Sequence, residues 1–370
     1  ICANTHPDHD SICTFRRENK KAFEAAFVTV LQLAHQLRLT RVGTVSVDGT
    51  KMQANASKHA AVSYQRAGEL ITRFQLEVAE LTSRAEQADV QQSKEPLDIP
   101  AELARREKRI ESLNRARAII EAQAKEMATA KQAEHQAKVG ERQAQRDAGK
   151  KPRGPEPKAP DDKPDGKDQY NFTDPESRIM KAGNGKHFEQ AYNAQAAVDE
   201  AMLIVGQRVS VAANDKQELA ATVQTISPVV KAEVKAVLAD SGFYSEAQVR
   251  AVEQPGDGTA SGLTVYAAVD KQSHHKRVAD LLPQPEPAPL AENASAREKM
   301  AHRMKTQTGR TLYKLRKQTV EPVFGIIKEI MGFRRFLLRG REKVSLEWLL
   351  VCVSYNLKRL FTLKNLAVTG

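Results

Sequence analysis

The sequence predicts an α/β protein: a mixed β-sheet flanked by helices, interrupted by a long α-helical, coiled-coil-like insertion. Three observations predict it. Short β-branched runs alternate with amphipathic stretches in both the early and the late part of the chain. Between them, Ser57 to about Ala148 changes character, rich in Ala, Glu, Gln, Lys and Arg with almost no aromatics. With that block removed, the order is strand, hairpin of two strands, helix, strand, helix, strand, helix, which is the order of an RNase H-like fold.

Residues 1–41 read as a loop and helices, with Phe23, Phe27, Val30, Ala34 and Leu37 at helical spacing, and resemble the end of a truncated N-terminal helical region. Val42 to Val47 alternates and is β-branched, predicting a strand that ends at Asp48-Gly49, a pair also common in hairpin turns. Residues 42–56 thus form the first part of the sheet domain.

In the 57–148 block, Leu70, Phe74, Val78 and Leu81 make one apolar stripe, and Leu103, Ile110, Leu113, Ile120 and Met127 another. Pro96 and Pro100 separate them, which predicts two long helices packed as an antiparallel hairpin. Its position suits dimer or DNA-end contacts. Residues 149–170, with five prolines among balanced charges, predict a disordered linker.

The rest of the sheet domain is expected over residues 171–364. Tyr192–Val198 and Leu203–Val211 flank Asp199-Glu200 as a hairpin. Asn214 is placed to cap a helix to about Ile226, and Val234 to Leu238 is a strand stopping at Asp240. Ser245 to Gln248 reads as a capping box, and Leu263 to Val269 as one more strand. A Pro-rich loop from His274 to Ala296 leads into C-terminal helices, one around Glu321 and one from Ser345 to Leu360. Because Pro322 is best tolerated in a first turn, Thr319 is expected to cap the helix that carries Glu321.

No run of about 18 apolar residues exists, so no segment is expected to span a membrane, and no signal peptide is visible. Three cysteines are too few for a disulfide framework, which points to a reducing cytoplasm. Formal net charge is +11, and it is concentrated. From Arg297 to Lys364 there are 17 Lys and Arg against 5 Asp and Glu, while the remainder holds 40 against 41. A localised basic surface of this kind points to nucleic acid.

Within that surface, Arg310, Lys314, Arg316, Lys317 and Lys328 surround one acid, Glu321. Asp48 and Asp240 stand at the ends of strands that lie side by side at the centre of the proposed sheet. Phosphodiester chemistry on DNA uses two hard divalent ions held by carboxylates, so Asp48, Asp240 and Glu321 are the candidate catalytic and metal-binding residues, with two Mg²⁺ or Mn²⁺ ions. Lys328, seven residues beyond Glu321, falls on the same helix face and can hold a phosphate. Other candidates have simpler explanations. Cys2, His6, His9 and Cys13 have the residue types of a zinc site but not its finger spacing. Turn and cap roles account for Asp199, Asp215 and Glu218. Trp348 has the spacing of a core residue, and His187, His274 and His275 that of surface positions.

Three segments then carry a likeness to a known family: Val47 to Ser57 around Asp48, Leu238 to Ser245 around Asp240, and Tyr313-x2-Arg316-x4-Glu321-x6-Lys328. In this order they resemble the signature segments of DDE transposases of bacterial insertion sequences, in the group with Val-Glu-Pro-Val-Phe-Gly followed by Gly332-Phe-Arg-Arg-Phe336. His6 to Asp10, ahead of Phe15-Arg16-Arg17, is similar to that group's segment before the catalytic core. The resemblance implies that Asp48, Asp240 and Glu321 bind the catalytic metals, and that Tyr313, Arg316 and Lys328 position the DNA end, with Arg310 and Lys317 as further DNA contacts. The usual Arg-to-Glu spacing in the family is three residues. Here Arg316 stands at four and Lys317 at three. The family's usual N-terminal DNA-binding region is expected to be mostly missing from this stretch.

The implied function is a cytoplasmic, nucleoid-associated bacterial transposase. It would bind terminal inverted repeats and target DNA as a homodimer, cleave, and then join strands through attack by water and by a 3′-hydroxyl. An RNase H-like nuclease that cuts without joining, or an inactive DNA-binding remnant of a truncated element, are the alternatives.

Overall fold

The computed structural model of the 370-residue chain describes residues 6–91, 97–147, 149, 155–182, 185, 187–255, 260–270, 285–291 and 294–369. These form two compact units, Ile1–Ala56 with Glu176–Gly370, and Ser57–Pro175. The fold is α/β, a mixed sheet flanked by helices.

The larger unit begins with helices α1 (His9–Glu18) and α2 (Lys20–Gln36). Asp8 caps α1 by accepting from the Ser11 amide at 2.7 Å, and α2 buries Phe27, Val30, Leu31 and Ala34 at helical spacing. Strand β1 (Thr44–Gln53) follows. It does not stop at Asp48-Gly49, as the turn-like dipeptide had predicted. The strand runs through both residues because a long partner strand pairs with every position from Val45 to Gln53, and ladder pairing overrides local turn preference.

In the smaller unit, β2 (Ala61–Ser63) leads into α3 (Tyr64–Gln91) and α4 (Ile99–Asp147), and β3 (Gln169–Asn171) returns to pair antiparallel with β2. Tyr64 at the start of α3 donates to Glu121 at 2.7 Å, while Glu77, further along α3, accepts from Arg106, earlier in α4. The later the α3 residue, the earlier its partner, so the helices run antiparallel. Leu81, Leu113 and Ile120 of the expected stripes are buried, but Met127 is 57% exposed. Ala67, Ile71 and Ala116 form the tight contact with Val62 and Leu113 instead, since alanines let the helix axes approach closely. Of the Pro-rich stretch, residues 155–168 carry no regular element, although the Gly166 and Asp168 carbonyls accept from the Gln65 and Tyr64 amides.

Back in the larger unit, β4 (Arg178–Lys181), β5 (Phe188–Asp199) and β6 (Ile204–Ser210) come next. The β5–β6 hairpin turns at Asp199, whose carboxylate accepts from the Arg41 and Leu203 amides at 2.9 and 2.8 Å. Helix α5 is short (Leu219–Gln224) and α6 shorter (Pro228–Lys231). Asn214 caps neither, because residues 212–218 are spent on turns around Asp215. Then come β7 (Ala236–Ala239), α7 (Glu246–Glu253) and β8 (Thr264–Ala267). The capping box expected at Ser245 does not form. Gln248 instead accepts from the Ala220 amide and donates to Gln217. The box forms at Ser295 and Glu298, which start α8 (Ala296–Lys305).

Helix α9 (Gln307–Gly325) is capped by Thr306 and followed by a π-helical turn, Ile326–Ile330; α10 (Arg341–Thr369) closes the chain. Thr319 is therefore not a cap, and Glu321 lies in the last turns of a helix rather than the first. Pro322 sits inside α9 at a cost of about 3 kcal/mol. Val320, Val323 and Ile327 are fully buried, and at about 1.5–3 kcal/mol each they outweigh that cost. Freed from its cap role, the Thr319 hydroxyl donates to Ser46 of β1 at 2.8 Å.

The sheet order is β4-β5-β1-β7-β8, with β6 also on β5; β1 is antiparallel to β5 and parallel to β7, which is parallel to β8. One hydrophobic core unites the sheet with α2, α5, α9 and α10. Within it Trp348 is fully buried, and its indole donates to the Gln195 carbonyl at 3.1 Å.

Candidate active site

Register places the first two acids. Ser46 of β1 stands beside Leu238 of β7 in the parallel ladder; two residues further along, Asp48 draws level with Asp240, just past the end of β7. Side chains alternate along a strand, so Ser46, Asp48 and Thr50 share one face, and α9 packs on it through the Ser46–Thr319 bond.

That helix brings Arg316 between the acids. Its Nη2 lies 2.9 Å from Asp48 Oδ2 and 3.8 Å from Asp240 Oδ2, and its Nη1 lies 2.9 Å from Glu321 Oε1. The three acids expected from sequence thus converge on one guanidinium. Their side chains are 16%, 38% and 47% exposed, so the cluster opens toward solvent on the Asp240 and Glu321 side and closes over Asp48. Burial pushes the Asp48 carboxyl up to about 7; Arg316 and the Gly49 amide pull it down, and Asp240 and Asp215 add to the rise. The Gly49 amide donates to Asp48 Oδ1 at 2.8 Å, and the Gly242 amide to Asp240 Oδ1 at 2.8 Å, so backbone donors orient both carboxylates.

Arg316, not Lys317, faces the acids. Arg316 is 8% exposed whereas Lys317 is exposed on the outer face of α9, because the face toward β1 is set by Arg316, Thr319, Val320 and Val323. Tyr313, one turn before Arg316, is half-buried, and burial raises its phenol. Lys328 lies in the π-helical turn and does not reach Glu321. Its ammonium donates to Thr50 Oγ1 at 2.5 Å and to the Lys51 carbonyl at 3.2 Å, and burial lowers its pKa. Arg310 donates to the Pro285 carbonyl at 3.2 Å.

Sequence reasoning passed over the other face of β1. Gly49 and Lys51 point there, opposite Gln195 and Asn193 of β5. Both amide side chains are fully buried and donate to Asp215 Oδ1, at 2.6 Å from Asn193 and 2.8 Å from Gln195, with Lys51 3.6 Å from the same oxygen. Asp215 stands in a turn, its carbonyl accepting from the Glu218 amide, and its side chain is in addition the acceptor for two buried amides. The alternation of Asn193 and Gln195 within an otherwise apolar strand was the available signal. Glu218 pairs with Arg208 and accepts from Ser210.

Of the zinc candidates, Cys2 lies outside the described residues, as do His274 and His275, and His9 faces Asp10 at 3.1 Å. Among the described residues no three of His, Cys, Asp or Glu are gathered closely enough to hold a metal ion as they stand. The three acids instead surround the Arg316 guanidinium. Their donor chemistry nevertheless fits a divalent cation: three carboxylates supply only oxygen ligands, and a positive group already stands among them. No helix among the described residues is long and apolar enough to cross a membrane.

Residues 286–361 match the family model described as the transposase DDE domain, a stretch that holds Tyr313, Arg316, Glu321 and Lys328 but not Asp48 or Asp240. No curated protein and no solved structure matches the chain. Over that segment, about a fifth of its length, the chain is similar to the transposase DDE domain.

Proposed function

We infer that the protein binds the ends of an insertion sequence and catalyses metal-dependent DNA cleavage and strand transfer at an RNase H-like site. The observation that carries this reading is the convergence of Asp48, Asp240 and Glu321 on the Arg316 guanidinium. Three acids from a strand, the loop after another strand and a helix, far apart in sequence, have no structural need to meet at a half-open surface, where their mutual repulsion is a cost. The sheet order β6-β5-β1-β7-β8, with only β1–β5 and β5–β6 antiparallel among these pairs, supports the RNase H-like assignment.

Asp48, Asp240 and Glu321 would hold two divalent ions, which supply Lewis-acid polarisation of the phosphate and of the attacking oxygen. The chain's own residues do the rest. Backbone amides aim two of the carboxylates, α9 holds the third opposite them, and burial of Asp48 lowers the local dielectric so that charge acts more strongly there. Exposed Lys314 and Lys317 on α9 offer phosphate contacts beside the cluster.

The test is a cleavage and joining assay on DNA carrying the element's terminal repeats, with Mg²⁺ or Mn²⁺. Cleavage and joined product are expected from the wild type, and from Asp48→Asn binding without cleavage. Cleavage with no joining of pre-cut ends would identify a nuclease, and binding with no cleavage by the wild type would identify an inactive remnant.

A further inference from the structure

Arg316 meets a shortage of positive charge that it cannot fill. Three carboxylates face one guanidinium, so the fully ionised cluster keeps an excess of two negative charges. The guanidinium itself is also incompletely satisfied. It uses both terminal nitrogens on acids, yet its Nε is buried and finds no acceptor among the described residues. A buried donor left unmade is costly, so this arrangement does not saturate the side chain. Moreover the acids, each within 3.8 Å of the guanidinium, are not gathered closely enough to hold a metal ion as they stand. A divalent ion and this guanidinium therefore compete for the same oxygens.

We propose that Arg316 is an internal counterion that divalent metal displaces, and that the released guanidinium then takes a phosphate of the bound DNA, so that metal and DNA bind cooperatively. The inference rests on the reading of the acids as metal ligands. Electrostatics sets its direction. An ion brought to the three acids neutralises the excess charge and repels the guanidinium, whose side chain is 9% exposed on the face of α9 toward β1; exposed Lys314 and Lys317 on the same helix mark the side on which a polyanion is the available partner. A planar fork matches two phosphate oxygens as well as it matches two carboxylate oxygens. By linkage, whatever factor metal adds to DNA affinity, DNA adds to metal affinity.

The experiment measures Mn²⁺ binding by calorimetry, and binding of labelled duplex DNA by anisotropy with and without Ca²⁺, for the wild type, Arg316→Gln and Arg316→Lys. Without DNA, Arg316→Gln should bind Mn²⁺ about tenfold tighter than the wild type, since the competing cation is gone. Wild-type DNA affinity should rise several-fold with the divalent ion, Arg316→Lys should keep part of that rise, and Arg316→Gln should lose it. Equal or weaker Mn²⁺ binding by a folded Arg316→Gln overturns the inference alone and makes Arg316 a scaffold for the ligands. Failure of both proteins to bind Mn²⁺ overturns the metal reading and the inference with it. If the variants do not fold, the guanidinium resonances of labelled wild-type protein decide: Mn²⁺-free titration with Mg²⁺ should shift Arg316, and an unmoved signal in a metal-binding protein overturns the inference.

Discussion

The two faces of strand β1 carry polar clusters of opposite design. On one, Asp48, Asp240 and Glu321 share a single guanidinium, with side chains up to 47% exposed. On the other, Asp215 is matched by Lys51 at 3.6 Å and by the Asn193 and Gln195 amides, which have no exposure at all. One cluster is short of positive charge and open at Asp240 and Glu321; the other sets one acid, 21% exposed, against one base, 16% exposed, over two fully buried amides, with Lys51 Nζ, Asn193 Oδ1 and Gln195 Oε1 buried without a hydrogen-bond partner among the described residues. A balanced, buried network specifies a packing arrangement, whereas an unbalanced, open one persists only where something else supplies the missing charge.

The largest effects should come from the open cluster. Asp48→Asn, Asp240→Asn and Glu321→Gln should each lower DNA cleavage at least about 100-fold with the melting temperature unchanged or raised, because removing one of three like charges relieves repulsion. A large fall in stability on any of these would break the contrast.

The closed cluster should respond the other way, through stability. A Cβ on Gly49 would lie 2.2 Å from Gln195 Nε2 and 2.8 Å from both Asn193 Oδ1 and Asp215 Oδ1. Gly49→Ala should therefore cost about 3 kcal/mol, the upper end of overpacking penalties, seen as a lower urea midpoint. Asp215→Asn should cost about 1–3 kcal/mol by leaving Lys51 without its countercharge, and the folded fraction should still bind DNA as tightly as the wild type in anisotropy.

Asp199 sharpens the comparison as an acid held by backbone donors. Burial lifts its pKa to about 7, against the pull of amides at Arg41, Leu203 and Ala201. A carboxyl whose folded pKa lies above its unfolded value keeps its proton in the folded state alone, so its contribution is most favourable below pH 4 and is lost as pH rises toward 7. Urea unfolding at pH 5.0 and pH 7.5 should show the wild type losing about 2 kcal/mol more than Asp199→Asn over that interval.

Much of the architecture was legible in the chain. The helix pair, the β5–β6 hairpin, the strand before Asp240 and the family segment around Glu321 all follow from local periodicity and residue type, which act over a few residues and so survive in a linear reading. The misreadings share a cause. Asp48-Gly49 looks like a turn and Pro322 like a helix start, and each was overruled by a partner distant in sequence: β5 holds β1 extended, and the buried face of α9 carries that helix through the proline. The choice between Arg316 and Lys317 was likewise beyond spacing alone, since it depends on which helix face meets Ser46.

The amino-acid sequence by itself determined which acids and bases are present, their order, and the basic character of the C-terminal third, because composition and local pattern need no neighbours. Only the tertiary structure decided that Asp48, Asp240 and Glu321 meet, that Arg316 stands between them, and that Asp215 belongs to a separate buried network. Those are contacts between residues scores of positions apart, and their energies depend on distance and burial, which a linear chain does not yet possess.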